Sequence, residues 1–588
     1  MKANNTQPVF SKPIFFLLSI LILCTPFWQG CRSKPVIEIK SNVIAMQAIA
    51  LLDVNNGPLR NIHAAKITLI DSGKMILSSN GIAFETIVLN EGFMSVGLSP
   101  KAQFSVEKPY RFSIRVEAVG YMTTVRTIVI ADSTPNYTPI YMVKLDSLPP
   151  GGLAASTGSI TAISNGIITQ TQVLSTIFNQ GSGDTLLIKI PEGTQLLSGK
   201  KPIQTKGDLS YRILLGKPKD SVANLVFPGG FEVTDAINED GKKLADAANP
   251  IFFTTAGWFS MEMNIGNTLV DGFSKPLDVE VPIVNSVINP ITQRPLKAGD
   301  TIPTWSLNNQ TGTWRREAIA EIISSNNGKL IARIKINHLS TVNFDFWTGG
   351  CMGEILVDFR PAEFSGSHLT DYVNTADDIT VKTKLIDFSN ITTPNTTANP
   401  LHVLRAPANK IGKLSVHESQ DPTSQKLGES SPLSCTSTGT CNDVPPGNCL
   451  SLLGVASPAT TLHFHSDQST PPRNLCANSV WFSTGGAYNA FVGVLNSAGV
   501  VEVPQQPSGT GQKDIFLWYV KNPNTTPESV SLRIIVNFDI DDTNVKIYEG
   551  SNPTPIGTGS SIRILDGGGA VTDIDITIPN GIISRWCN

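Results

Sequence analysis

The chain has 588 residues, with 45 Lys and Arg against 48 Asp and Glu, for a formal charge of −3. That balance supplies no basic field for a nucleic acid, so partners of that class are excluded. Charged residues make up only 16%, against the ~25% of an average soluble protein. With 48 Gly and 39 Pro, this is the profile of an exported, strand-and-turn chain of about three to five domains.

The N-terminus carries Lys2 and Lys12, then an apolar run from Ile14 to Cys24 that Thr25 and Pro26 interrupt. The run is too short for a hydrocarbon core, which needs about 20 apolar residues. It reads as a secretory signal over residues 1–30. Trp28-Gln29-Gly30-Cys31 follows. This stretch resembles the lipobox of bacterial lipoproteins in its loose form, with Trp28 where Leu is usual. The resemblance implies cleavage before Cys31, lipidation of its thiol and tethering to a membrane. The expected location is the cell envelope, at the outer membrane. Arg32-Ser33-Lys34-Pro35 leaves open whether the chain faces the surface or the periplasm.

Beyond Cys31 the pattern has period two. Lys66 to Ile70, Tyr110 to Val116 and Leu532 to Val536 alternate polar and apolar residues, which places one set on each face of a sheet. Turn signals punctuate the strands at Asn56-Gly57-Pro58, Ser79-Asn80-Gly81 and Asp566 to Gly569. Helical periodicity is scarce, with the best stretch at Asp240 to Ala248. The predicted fold is all-β: a string of three to four β-sandwich domains behind the lipoprotein signal. Their expected bounds are 36–147, 153–347, 351–458 and 460–588.

In the first domain, Gly57-Pro58-Leu59, Ala65 to Leu69, Gly81 to Phe84, Tyr110-Arg111-Phe112 and Val119-Gly120-Tyr121 resemble the carboxypeptidase regulatory-like modules of exported Bacteroidota proteins. Ser79-Asn80 stands where that family places Thr-Asp. The resemblance implies a small seven-stranded sandwich. Gly120 permits a turn there, and Tyr121 can plug the sandwich edge. The second domain carries Ile190 to Thr194, Phe227-Pro228-Gly229-Gly230, Phe253 to Phe259, Pro276 to Pro282, Trp305, Trp314 and His338-Leu339-Ser340 with Asn343. That succession resembles a β-rich module of uncharacterised Bacteroidota surface lipoproteins, and it implies a location and a fold but no reaction.

Past Cys31, the cysteines are Cys351, Cys435, Cys441, Cys449, Cys476 and Cys587. An even set in an exported chain predicts up to three disulfides, among 15 pairings that sequence does not separate. The spacing from Cys435 to Cys449 lacks the tight pairs of a structural zinc site.

Several residues are candidates for chemistry. Trp305 and Trp314 flank the turn at Asn308 to Gly312 and are expected in the core, with a stacking platform for sugar rings as the alternative. His338 reads as a strand-end histidine bonded to backbone. With Asp345 it suggests half of a catalytic dyad, but the chain contains no Gly-x-Ser-x-Gly. His417-Glu418 misses the zinc-protease motif, because Asp421 stands at its last position. His463, His465 and Asp467 share a strand face that can bind a transition metal. Asp539, Asp541, Asp573 and Asp575 line acidic strand faces that can hold Ca²⁺ if they meet; a solvated acidic face is the plainer reading.

No cofactor is required by these motifs, and none joins a nucleophile to its base. The expected function is therefore non-enzymatic: a membrane-anchored array that is structural or adhesive, or that presents a ligand-binding surface to a glycan or an envelope protein. A carbohydrate-binding lipoprotein of a polysaccharide uptake system is the alternative, with a hydrolase third. Exposure of Trp305, Trp314, Trp481 and Trp518 separates the first two.

Overall fold

The computed structural model describes residues 43–349 with short gaps. From 354 to 582 it describes strands, with side chains chiefly at 412–417, 426–430, 462–465, 514–517, 531–565 and 573–582. The lipidation residue Cys31 lies outside the described residues, as do the side chains of all six candidate disulfide cysteines; only the backbone of Cys449 is placed, in strand Cys449–Ser451. Among interpretable residues 63% lie in strands and 2% in helix, which makes the fold all-β.

The first module is a two-layer sandwich. One sheet runs in the order Gly57–Pro58, Ile44–Asp53, Phe93–Leu98, Ile76–Ser78, and Asn136–Met142 pairs with Ile44–Asp53 as well. The facing layer runs Thr86–Leu89, Ala65–Ile70, Tyr110–Glu117, Thr124–Ile130. Alternation sends Ile49, Leu51, Ile67, Ile87, Val96, Phe112 and Ile114 into the space between them. Gly120 takes a left-handed conformation at φ +82°. Tyr121 is buried there, and its hydroxyl donates to Asp53 Oδ2 at 2.7 Å.

The second module is a sixteen-stranded sheet curled almost into a barrel, ten of its strands forming one continuous path. Its path runs from Leu153–Ile160 through Leu209–Gly216, Ile251–Ile265, Thr341–Gly349, Thr301–Leu307, Trp314–Ser324, Leu330–His338, Gly272–Ile283 and Thr185–Ile190 to Gln172–Ile177. The two end strands meet through the hydroxyls of Ser156 and Thr176, 2.7 Å apart. A core including Leu186, Ile188, Leu215, Phe259, Leu277, Val279 and Phe344 fills it. The stretch Asp240 to Ala248 is turns around the short strand Lys243–Ala245, not a helix. A helix forms instead at Ser221–Leu225, where Asp220 Oδ1 accepts from the amides of Val222 and Ala223 at 3.0 Å each. Sequence periodicity missed it because it is little more than one turn long, and its cap is the stronger signal.

The modules of this all-β string are joined, some through a shared core and some through a shared sheet. Residues 43–582 all fall in one compact unit. Ala48, Ala50, Leu52, Phe93, Val125 and Tyr141 of the first module share a core with Leu214, Phe227, Trp258, Trp305 and Trp314 of the second, and with Leu414, Val416 and Leu433 of the third. The C-terminal module makes a different connection. Its strand Glu528–Asn537 pairs in parallel with Thr86–Leu89, so one sheet runs through both modules. The register is Glu528 to Val88 and Ser529 to Leu89. This module keeps its own core, including Leu462, Phe464, Leu532, Ile534, Ile547 and Ile576.

Candidate functional site

The junction of the first two modules holds the largest buried side chains. Phe227 stacks on Phe231 at 4.6 Å and on Trp314 at 5.7 Å, and meets Trp258 edge-on at 5.7 Å. Phe253 lies 5.1 Å from both Trp305 and Trp314. Trp305 is 0% exposed and Trp314 2%. Both rings lie in the core as expected, and the alternative of a sugar platform is set aside for these two, since neither is open to solvent. The reason is the hairpin tip between them. Asn308 Oδ1 caps it by accepting from the amides of Gln310 and Thr311, and the tip then docks on the first module through Arg115 and Gln310 Oε1. Thr313 Oγ1 and Arg111 both donate to Asp235, so the flanking tryptophans are sealed.

Polar groups complete the junction. Glu262 accepts from the Thr123 amide at 3.1 Å and pairs with Arg212, which also donates to the Tyr121 carbonyl at 3.0 Å. Arg126 donates to the carbonyls of Leu225 and Phe227 at the end of the short helix. Burial pulls the Arg126 guanidinium down to about 10. The Gly229-Gly230 turn, at φ +76° and +73°, threads between Trp314 and Arg126. A Cβ on Gly229 would lie 2.6 Å from Trp314 Nε1. These residues make a joint; they present no reactive group to solvent.

His338 stands at a strand end as expected, but it bonds a side chain, not backbone. Its Nε2 lies 3.2 Å from Glu317 Oε1, and Ser306 Oγ donates to the same oxygen at 2.6 Å. Burial opposes the charge on Glu317. The hydrogen bonds from His338 and Ser306, with the charges of His338 and Arg315, outweigh it and hold the carboxyl below its ordinary value. The carboxylate sits between serine and histidine, so the order is not that of a serine relay. Asp345 lies apart from His338: it is fully buried and accepts from the Thr254 amide at 2.6 Å and from Asn343 Nδ2 at 2.9 Å.

In the C-terminal module, strand Thr460–Ser466 runs parallel to Val571–Ile578, with His463 opposite Asp575 and His465 opposite Thr577. His463 Nε2 lies 3.1 Å from Asp573 Oδ1, and His465 Nε2 lies 2.7 Å from Thr577 Oγ1. Asp467 lies outside the described residues. The two acidic stretches do not meet, because strand Gly557–Leu565 separates Val571–Ile578 from Asp542–Glu549. Its Arg563 takes Asp541 through both amide and guanidinium, and these bonds hold that carboxyl below its ordinary value. Among the described residues no group of three His, Cys, Asp or Glu converges as a metal would need. Of the four aspartates weighed for Ca²⁺, Asp541 pairs with Arg563 and Asp573 lies against His463, and the described residues do not bring the four together.

A hollow of about 200 Å³ opens beside Ile163 to Asn165 and Thr205 to Gly207. It is smaller than the usual small-molecule pocket and has one ionisable lining residue, Lys206. No described helix is long and apolar enough to cross a membrane.

No family model matches the chain, and no curated protein matches it. Among solved structures, a variant of BcpA, the major pilin subunit of Bacillus cereus, aligns with 91% of this chain and 99% of its own at 9% identity, with a TM-score of 0.13. The full-length RrgB pilus protein of Streptococcus pneumoniae aligns with 84% of this chain and 94% of its own at 8% identity, with a TM-score of 0.12. Superposition at that level carries no argument about function.

Proposed function

We propose that this protein is a non-enzymatic envelope lipoprotein, tethered through Cys31, whose fused β modules hold a binding or adhesive surface away from the membrane. The observation that carries the reading is the joint between the first two modules. A shared aromatic core, with the Glu262–Arg212 and Arg111–Asp235 pairs, makes one body of two sandwiches. A spacer or presenting scaffold needs that stiffness. The outer face of the barrel adds cross-strand pairs, Glu280–Arg333 at 2.8 Å and Asp278–Lys335, which suit permanent exposure to water. The regulatory-like identity of the first module belongs to the same reading, supported by its two-layer sandwich. Recognition of a glycan through Trp305 and Trp314 loses support, since both are used in the joint, while the side chains of Trp481 and Trp518 lie outside the described residues.

Two measurements test it. Palmitate labelling of the wild type should be lost in Cys31→Ala, and retained label would sink the tether. A binding screen of the soluble chain after Cys31, against glycans and envelope proteins, should return a ligand without turnover. Hydrolysis of any ligand found would overturn the non-enzymatic reading.

A further inference from the structure

We infer that strand Ile44–Asp53 is a shear clamp, built so that pulling on the N-terminus loads its hydrogen bonds all together. The inference deepens the tethering proposed above, but its test does not depend on lipid. The strand pairs in parallel with Asn136–Met142 over an unbroken register from Gln47–Asn136 to Asp53–Met142. Parallel neighbours have their chain starts at the same end. Tension entering before residue 43 therefore reaches one strand at its start. Tension leaving toward the second module, through Leu145 and the 148–152 linker, leaves the other strand at its finish. The two forces act at opposite ends of the pair and along it, so no bond breaks until many are strained.

Three further features support a clamp at this strand. On its other side it pairs with Phe93–Leu98, from Gln47–Val96 to Ala50–Phe93, so it is held from both flanks. It is buried on both faces: Ile49 and Leu51 face the sandwich core, while Ala48, Ala50 and Leu52 face the joint with the second module. Its ends are pinned. At the start the register shifts between Ile44 and Gln47, with Ala45 at φ +50° and the Gln47 side chain donating to the carbonyls of Ala45 and Met46. Gly97 is required there, because a Cβ would lie 2.4 Å from Val43 Cγ1. At the finish Asp53 accepts from Tyr121, and the Val54 amide donates to the Met142 carbonyl at 3.2 Å. Sliding the strand past its partner would undo both pins.

The test is single-molecule pulling on the chain from Arg32 onward, with handles at two positions. Handles at the N-terminus and at residue 150 load the pair in shear. Handles at residues 55 and 150 pull on the ends where both strands finish, and so peel the pair one bond at a time. At one loading rate, rupture of the first module should need roughly twofold more force or higher in the first geometry, since forced unfolding reads the unfolding barrier. Any ratio above one supports the clamp; a ratio of one or less overturns it. Such a failure would leave the lipid tether standing, because palmitate labelling reads that separately.

Discussion

The first module joins the second and the C-terminal modules by different physics. Toward the second module it shares apolar side chains and the largely buried Arg111–Asp235 pair. Toward the C-terminal module it shares backbone pairing at Val88 and Leu89 and a contact of Phe516 with the edge of the joint core, while that module's main core stays its own. Shared core makes two modules fold and fail together, because opening either exposes the same aromatics to water. A strand-to-strand seam allows the C-terminal module to open alone. Hydrogen exchange along a urea titration should therefore show residues 43–347 losing protection together. Residues 531–578 should lose theirs at lower urea, and one transition for all would break the comparison.

The largest single effect belongs to the joint. Trp314→Ala should cost about 3–5 kcal/mol in denaturant unfolding, and protection should fall in both modules it joins. Glu262→Ala should cost about 2 kcal/mol, since it leaves the Thr123 amide and Arg212 without their acceptor. Its circular dichroism should stay native. Gly229→Ala should lower stability by about 2 kcal/mol, combining left-handed backbone with the Trp314 clash. Gly241→Ala, with the same handedness and open space around it, should cost only about 1 kcal/mol. Equal costs would show that the turn, not the joint, sets the penalty.

The smallest effect is acid sensitivity. Glu239 and Glu317 are held below their ordinary values, Glu239 first by hydrogen bonds from Arg316. A carboxyl depressed in the folded state adds stability above its unfolded value, about 4.3, and loses it as pH falls through the folded value. Asp514 runs the other way, because burial raises it. Denaturation midpoints should thus fall below about pH 4. In Glu317→Gln the slope should flatten.

Much of the joint was legible in hindsight from two stretches that do not alternate. Ile44-Ala45-Met46-Gln47-Ala48-Ile49-Ala50-Leu51-Leu52 is apolar almost throughout, as is Ile251 to Phe259. Continuous apolar strands are buried on both faces, and both of these strands feed two cores. Alternating strands such as Tyr110 to Val116 are legible from the sequence because they bury one face, here with Phe112, Ile114 and Val116. His338 meets Glu317 across the hairpin that joins its strand to the one before it, so its partner follows from the hairpin register that sets Glu321 opposite Arg333, which residue type alone does not give. The acidic residues of the C-terminal module do not meet, because a strand with Arg563 lies between them.

The sequence by itself determined the all-β class, the strand faces and the turns that need glycine, because these depend on neighbours two to four residues away. Tertiary structure alone decided what seals the two tryptophans beside the hairpin, and that modules separated by a Pro-Gly linker share a core. An apolar face announces that something must cover it. Which segment does so is settled by contacts between residues more than a hundred positions apart, such as Arg111 with Asp235 and Arg115 with Gln310.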